Sequence, residues 1–315
     1  MKEMSSVSET VDHVNGANRG IALGLIKELA TYSNTIVFAA ARNPAAESLV
    51  LCWKKFLLSE ANVFQVTGAN RGIGLGLVKT LAVRPNVVVF AGARDPTAAS
   101  LVELAASYPN VHPVKVTLGN EADNAAAIAE IESTVGTLDV VITSAAIYSV
   151  NTPAGIAGMP LSKLREQFEV NTVGMVALFQ AAQKLLLASP TGAPTFAYIS
   201  TGSASISRYV GHRMNATAYN TSKLAANYII RELDAQNPKL IAMAIHPGWV
   251  ATDMGNVGAT AAGLPQAPVS VQDSVDGILS RIDGATKEKS SGKFWNYKAT
   301  FGGKPWDLEM EEIPW

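Results

Sequence analysis

The 315-residue chain is poor in the residues that build disulfides and metal sites. It has one cysteine, Cys52, and four histidines without the spacing of metal ligands. A single cysteine excludes an internal disulfide and a cysteine-based metal centre. We therefore expect no metal site, and we interpret Cys52 as a packing residue.

The chain also lacks an excess of charge and a long apolar run. Its 25 lysines and arginines nearly balance 26 acidic residues, giving a net charge of −1. Without a dense basic cluster there is no electrostatic footprint for nucleic acid or for an anionic membrane. Residues 1–12 are polar, and no run reaches the roughly 18 apolar residues of a membrane span. The sequence predicts a cytoplasmic protein whose partner is a small molecule.

The most informative stretch is Thr67–Gly74, which reads T-G-A-N-R-G-I-G between an apolar and an amphipathic run. It predicts a strand, a tight turn and a helix start. Gly68 permits a positive φ, Gly72 lets backbone approach a phosphate, and Gly74 lets the helix pack on the strand. The helix N-terminus then offers N–H groups to a pyrophosphate. An ordinary glycine-rich turn is the alternative for such glycines standing alone.

Strand-like and helix-like segments alternate after this turn, which favours an α/β fold with a doubly wound, mostly parallel Rossmann sheet. The predicted strands after the turn are 87–93, 114–116, 138–142, 195–200, 240–245 and 293–297. The predicted helices are 97–107, with Pro96 at its N1 position, 121–134, capped by Asn120, 161–187, 217–236 and 270–282. Residues 61–315 are expected to form one domain.

An internal repeat precedes this domain. Residues 14–50 align without gaps on residues 66–102 and match at 24 of 37 positions, at an offset of 52 residues. Two copies are too few for a solenoid or a propeller. We interpret residues 1–60 as a degenerate partial duplicate of the β-α-β nucleotide-binding unit.

The two copies differ where a cofactor would bind. Asn15 replaces Thr67, and Ala22 replaces Gly74. We therefore expect the second copy to hold the cofactor and the first to be a loosely attached appendage. Nascent helices are predicted around 21–29 and 46–58, and their uncovered apolar faces would favour aggregation or self-association into a homo-oligomer.

A tyrosine and a lysine stand four residues apart, at Tyr219 and Lys223. This spacing puts both on one helix face, where the ammonium favours phenolate and lowers the tyrosine pKa toward acid–base use. Upstream, a strand ends in the hydroxyls of Ser200, Thr201 and Ser203, and ligands bind at strand carboxyl ends in such sheets. A solvated helix face is the alternative for the pair alone.

With these motifs the chain resembles the classical short-chain dehydrogenase/reductases, and among them the fungal ketoreductases similar to norsolorinic acid ketoreductase. The likeness runs from about residue 63 to the end. Its further motifs are Leu138–Ile142 (L-D-V-V-I), Asn171–Gly174 (N-T-V-G), His246–Met254 (H-P-G-W-V-A-T-D-M) and Ser291–Tyr297 (S-G-K-F-W-N-Y).

The resemblance implies a role for each matching residue. Tyr219 would be the proton donor, Lys223 would bind the nicotinamide ribose and lower the tyrosine pKa, and Asn171 would hold a water in a proton relay. The catalytic serine falls on Thr201, with Ser203 as the fallback. The implied cofactor-binding residues are Gly68, Asn70, Arg71, Gly72, Ile73, Gly74, Arg94, Thr117, Ser144, Tyr219, Lys223, Pro247, Gly248, Val250 and Thr252, the last at the nicotinamide carboxamide.

Several positions depart from the family pattern. Thr201 stands for the serine, Thr117 for an adenine-binding aspartate, and Ser144-Ala145-Ala146 for N-A-G. A threonine hydroxyl still donates to a carbonyl, but its methyl narrows the rotamers. Because of these departures, the alternative function is that of a cofactor-binding but catalytically weak paralogue with a regulatory or scaffolding role.

The leading interpretation is an NADPH-dependent ketoreductase. A 2′-phosphate needs cations, and Arg94 stands where an NAD-binding unit places an acid, with Arg71 near by. Two guanidiniums outweigh Asp95, although both arginines could be solvated surface residues. The nearly uncharged segment Gly255–Pro268 is interpreted as a mobile lid over an apolar ligand or as a long loop. The expected substrate is a bulky apolar ketone, aromatic or polyketide-like by resemblance.

Overall fold

The computed structural model describes the backbone of residues 10–15 and 35–40, and residues 61–149, 155–208, 216–298 and 310–315. The chain divides into two compact units, Met1–Ala61 and Asn62–Trp315.

In the first unit, strands β1 (Thr10–Asn15) and β2 (Thr35–Ala40) form a two-stranded parallel sheet. Val14 lies opposite Ala39. The equivalent residues of the second copy are Val66 and Ala91, which also lie opposite each other. The two pairs of strands therefore have the same register. The interpretation of residues 1–60 as a degenerate duplicate stays a prediction, because the predicted helices 21–29 and 46–58 lie outside the described residues.

The second unit is built on a parallel sheet of seven strands in the order β5-β4-β3-β6-β7-β8-β9. The strands are β3 (Asn62–Thr67), β4 (Val87–Ala93), β5 (Val111–Lys115), β6 (Val140–Thr143), β7 (Thr195–Ile199), β8 (Ile241–His246) and β9 (Lys293–Asn296). The strand order changes direction between β3 and β6, where ligands bind in open α/β sheets. The predicted doubly wound Rossmann sheet is confirmed.

Helices cover both faces of this sheet, which is why β4, β6 and β7 are buried along their whole length. The helices are α1 (Gly72–Ala82), α2 (Ala99–Ser107), α3 (Glu121–Thr134), α4 (Leu161–Phe168), α5 (Gly174–Leu187), α6 (Thr217–Gln236), α7 (Asp253–Ala261), α8 (Val271–Asp283) and α9 (Lys287–Ser290). One core layer joins Val66 of β3 to Leu77 of α1 and Ile278 of α8.

The predicted helix 161–187 is interrupted. A π turn, Glu169–Val173, separates α4 from α5. No proline or glycine lies inside it, and Gly174, which follows it directly, stands in an apolar pattern that reads as one continuous helix. Such turns widen the helix and often occur at functional sites.

Three other predicted boundaries are wrong. The strand predicted over 114–116 is β5, which begins three residues earlier, at Val111. Thr97 N donates to the Asp95 carboxylate (2.9 Å), so Pro96 lies in a turn and α2 begins only at Ala99. The interpretation of Gly255–Pro268 as a loop or lid fails for its first half, because α7 spans Asp253–Ala261. The Thr252 hydroxyl caps α7 by accepting a hydrogen bond from Gly255 N (3.1 Å). The sequence did not indicate this helix because the segment is rich in glycine and alanine.

The helical stretch Leu161–Leu187 is long and apolar enough to cross a membrane, with a mean hydropathy of 1.2 in its most apolar window. Within the fold 56% of that window is buried, and α5 packs against α3 and β6. This packing is compatible with a core helix of a soluble protein.

Candidate active site

Three close approaches in the turn between β3 and α1 require glycine. Gly68 has φ +68°, and a Cβ there would lie 2.9 Å from Ala145 Cα. Gly72 has φ +54°, and its Cβ would lie 3.2 Å from Thr252 Cγ2. A Cβ on Gly74 would overlap the Gly68 carbonyl oxygen. The turn therefore keeps an open backbone cradle at the N-terminus of α1, which fits the pyrophosphate of a dinucleotide.

Thr67 ties this turn to the neighbouring strand. Its fully buried hydroxyl accepts a hydrogen bond from Ala145 N (3.0 Å), immediately after β6. The bond fixes the start of the turn against the partly buried segment Ser144–Ala146. The sequence identified Thr67 only as a strand end, because its partner is 78 residues away.

Two arginines lie near the glycine turn, in different surroundings. Arg71, directly before Gly72, forms an exposed ion pair with Asp253 at the start of α7 (3.1 Å). Arg94 is exposed at the end of β4, and within the described residues it has no ion-pair partner. The neighbouring Asp95 is held by Thr97, whose hydroxyl and N–H lower the pKa of that carboxyl. Arg94 is thus the better placed cation for an anionic ligand.

Other predicted cofactor residues follow the ends of β5 and β8. Thr117 is partly buried after β5, and its side chain lowers the pKa of the Asp123 carboxyl. After β8, Gly248 has φ +85°, and a Cβ there would lie 2.8 Å from Tyr297 Cε1. The Pro247 carbonyl accepts from the Ser274 hydroxyl (2.7 Å).

The structure also describes three further residues of the predicted cofactor-binding set. Val250 forms an isolated bridge to Val269. The Asn70 carbonyl accepts from the Ser100 hydroxyl (2.8 Å), and Ile73 packs partly buried against the core. The turns after β3, β5 and β8 all lie at the carboxyl edge of the sheet, where the resemblance places the cofactor.

Lys223 is buried at the centre of this edge. Its side chain extends from α6 with 1% exposure, and Nζ donates to the Ile199 carbonyl at the end of β7 (2.7 Å). The ammonium lies 5.8 Å from the Tyr219 ring centroid, as the predicted helix face requires. Burial lowers the pKa of Lys223 to about 7. The lysine therefore exchanges its proton near neutral pH.

Tyr219 is shielded from water in a different way. Its partly buried ring packs edge-on against Tyr148, with the two centroids 5.1 Å apart. Burial first and Tyr148 second raise the pKa of Tyr219 well above its usual value. The net lowering of this pKa that the Lys223 ammonium was expected to cause is absent in the protein alone, and the role of Lys223 toward Tyr219 stays a prediction. Desolvation disfavours the phenolate, and the same desolvation discharges the lysine that would stabilise it.

Asn171 lies in the π turn and uses its whole side chain to join two segments. Its Oδ1 accepts from Ile147 N (2.9 Å), and its Nδ2 donates to the Ile147 carbonyl (3.0 Å) and to Ser222 Oγ (3.1 Å). The residue thus fixes the segment after β6 against α6. Its role in holding a water stays a prediction.

The hydroxyls after β7 have three different environments. Ser200 is buried and donates to Asn227 Oδ1 (2.7 Å), which removes it from substrate chemistry. Thr201 is partly exposed and its Oγ1 accepts from Ser203 N (3.3 Å), so its own O–H remains to donate. Ser203 is exposed. Among the three, Thr201 is the best placed donor.

The comparisons with known proteins agree with this geometry. The model of the short chain dehydrogenase family matches residues 62–261. The norsolorinic acid ketoreductase of Dothistroma septosporum is 38% identical over 242 residues, covering 75% of this chain and 90% of that protein. That of Aspergillus parasiticus is 40% identical over 241 residues, covering 75% and 88%.

Solved structures show the same fold. The NADPH-bound carbonyl reductase from chicken fatty liver superposes with a TM-score of 0.67 at 31% identity, covering 76% of this chain and 97% of that one. Carbonyl reductase Sniffer of Drosophila melanogaster gives a TM-score of 0.68 at 28% identity, covering 81% and 100%.

A parallel sheet of this order, with a glycine cradle after β3, defines a dinucleotide-binding Rossmann protein. The matches narrow the class further. The chain belongs to the short-chain dehydrogenase/reductase family and acts on C=O or CH–OH groups.

Proposed function

We propose that the protein is an NADPH-dependent ketoreductase for a bulky, mostly apolar ketone. The observation that carries the proposal is the pairing of a protonated, partly buried Tyr219 with a buried Lys223 at the sheet edge that also carries the glycine cradle. The similarity to two norsolorinic acid ketoreductases and to an NADPH-bound carbonyl reductase supports it.

The residues present fit the nicotinamide cofactor. The turn Gly68–Gly74 would hold the pyrophosphate, Tyr219 and Lys223 the nicotinamide ribose, and Thr252 the carboxamide. Arg94, joined by Arg71, would bind the 2′-phosphate, because a bidentate guanidinium matches phosphate geometry. When bound, NADPH supplies the hydride.

Tyr219 and Thr201 would act on the oxygen of the ketone. The Thr201 hydroxyl donates a hydrogen bond that polarises the carbonyl. Tyr219 keeps its proton at neutral pH and gives it to the same oxygen as negative charge develops. Lys223, with a pKa of about 7, holds an exchangeable proton beside the phenol, and Asn171 would hold the water that connects it to solvent.

Exposed apolar side chains after three of the strands support the proposed substrate class. Three exposed apolar side chains lie on the segments after β6, β7 and β8, namely Ile156 (70% exposed), Ile206 (67%) and Val257 (49%). The carboxyl ends of these strands share one edge of the sheet, so the segments that follow them expose apolar surface on the side of the sheet where ligands bind. Such a surface suits a bulky apolar ketone, and the resemblance extends this to aromatic, polyketide-like ketones.

The purified protein tests the proposal directly. NADPH binding is followed by nucleotide fluorescence, and NADPH oxidation is followed across a panel of aromatic ketones, aliphatic ketones and sugars. We expect saturable binding and oxidation with bulky aromatic ketones. Binding without oxidation across the whole panel would contradict the reductase and favour a cofactor-binding protein without turnover. Efficient reduction of small sugars alone would contradict the substrate class.

A further inference from the structure

Tyr198 lies against the Lys223 ammonium and has no role in the site described above. It is 1% exposed on β7, directly before the Ile199 carbonyl that Lys223 binds. Its ring centroid is 4.4 Å from Lys223 Nζ, and its hydroxyl donates to the Asn171 carbonyl (3.2 Å). One buried side chain therefore contacts both the lysine and the π turn.

The ammonium has few other sources of stabilisation. In the described part of the chain, Lys223 donates one hydrogen bond and forms no ion pair with a carboxylate. An ammonium over an aromatic face is attracted by the ring quadrupole, and this attraction strengthens when water is excluded. The Tyr198 ring is nearer to Nζ than the Tyr219 ring, at 4.4 Å against 5.8 Å.

The other titratable groups near α6 are either exposed to solvent or uncharged near pH 7. The charged side chains of α4 and the π turn are exposed to solvent, namely Lys163, Arg165, Glu166 and Glu169. On β8, burial and Arg208 lower the pKa of His246 to about 4, so it is neutral near pH 7. Tyr198, Tyr219 and Tyr148 all have raised pKa values and stay protonated.

We infer that Tyr198 is a positioning residue of this site, whose ring face favours the ammonium form of Lys223 against the effect of burial and whose hydroxyl anchors the Asn171 carbonyl. The consequence for turnover rests on the proposed function. The consequence for the lysine does not, because it is a property of the protein without cofactor or substrate.

Three variants and one matched control distinguish the effect of the Tyr198 ring on Lys223 from the effects of the Tyr198 hydroxyl and of core packing. Tyr198→Phe keeps the ring face and removes the hydroxyl. Tyr198→Leu removes the ring, and 4-cyanophenylalanine at position 198 keeps the ring shape but withdraws its electrons. The control is Phe196→Leu, because Phe196 is fully buried on the same face of β7 and packs against Phe179 instead of Lys223.

The experiment is an NMR titration of the full-length protein labelled with ¹³C at lysine Cε. The Lys223 signal is assigned by its absence in Lys223→Met. We expect the pKa of Lys223 to fall by about one pH unit in Tyr198→Leu and in the cyano variant. It should stay within about 0.3 of the original value in Tyr198→Phe and Phe196→Leu. An unchanged pKa in the folded cyano variant would overturn the inference, as would an equal fall in Phe196→Leu.

Reductase assays then test the link to turnover. The alkaline fall of kcat/KM should begin about one pH unit lower in Tyr198→Leu than in Tyr198→Phe. A changed lysine pKa with an unchanged activity profile would support the ring effect and contradict the proposed role of Lys223. The two failures are therefore distinguishable.

Discussion

Replacing Lys223 by methionine is expected to stabilise the protein at neutral pH while removing its activity. Burial lowers the pKa of this lysine from 10.5 to about 7, so the folded state disfavours the ammonium. A pKa difference of about 3.5 corresponds to about 5 kcal/mol at about 1.4 kcal/mol per unit. Methionine fills a similar volume without a charge, so it escapes this cost.

The lowered pKa also determines how the stability difference between the two proteins changes with pH. Below pH 7 both the folded and unfolded lysine are protonated, and the cost of the buried charge is fully present. Between pH 7 and 10.5 the unfolded chain binds the proton that the folded chain has released, so stability rises with pH. The advantage of Lys223→Met over the natural protein should therefore shrink by about 3 kcal/mol between about pH 6 and pH 9.5.

Urea unfolding of both proteins at several pH values measures this difference. Other titrating groups are common to both, so their contributions cancel. The control is Lys184→Met, since Lys184 is an exposed lysine on α5 and should give a pH-independent difference. A Lys223→Met advantage that is constant from pH 6 to 9.5 would refute the reasoning, because it would mean that burial does not discharge the lysine.

The remaining predictions concern the nucleotide cradle. Arg94→Asp should reverse the cofactor preference toward NADH, and an unchanged ratio of the two Kd values would place the 2′-phosphate elsewhere. Gly74→Ala should weaken NADPH binding and cost about 1–3 kcal/mol in urea unfolding, because the methyl overlaps the Gly68 carbonyl; unaltered binding would contradict that steric argument. A chain starting at Ser59 should fold and bind NADPH. Gly68→Asp should abolish binding and Gly16→Asp should not; the reverse would make the first copy the working one.

The parts of the fold that the sequence predicted are those with a local chemical cause. The alternation of buried strands and amphipathic helices fixes the sheet, and the turn at Gly68 needs a positive φ that glycine supplies. The helix that carries Tyr219 and Lys223 has the predicted bounds, Thr217–Gln236, because its neighbours interrupt the apolar pattern at both ends.

The parts that it missed depend on distant contacts or on burial. The π turn at Asn171 contains no proline or glycine, and the amide partners of Asn171 at Ile147 and Ser222 are 24 and 51 residues away. Tyr198 reads as an ordinary core residue of a strand. The i, i+4 spacing showed that Tyr219 and Lys223 are neighbours, but spacing does not report desolvation, and desolvation decides both pKa values.

The most direct test of the proposed function is the Tyr219→Phe variant, which removes one proton and little shape. NADPH oxidation is measured with a ketone that the natural protein reduces, and NADPH binding is measured by fluorescence on the same samples. Tyr228→Phe is the matched control, because Tyr228 is exposed on the same helix. We expect Tyr219→Phe to lose about 10²- to 10⁴-fold in turnover with nearly unchanged NADPH binding, and Tyr228→Phe to lose nothing. If Tyr219→Phe keeps more than about a hundredth of the activity, Tyr219 is not the proton donor of this site.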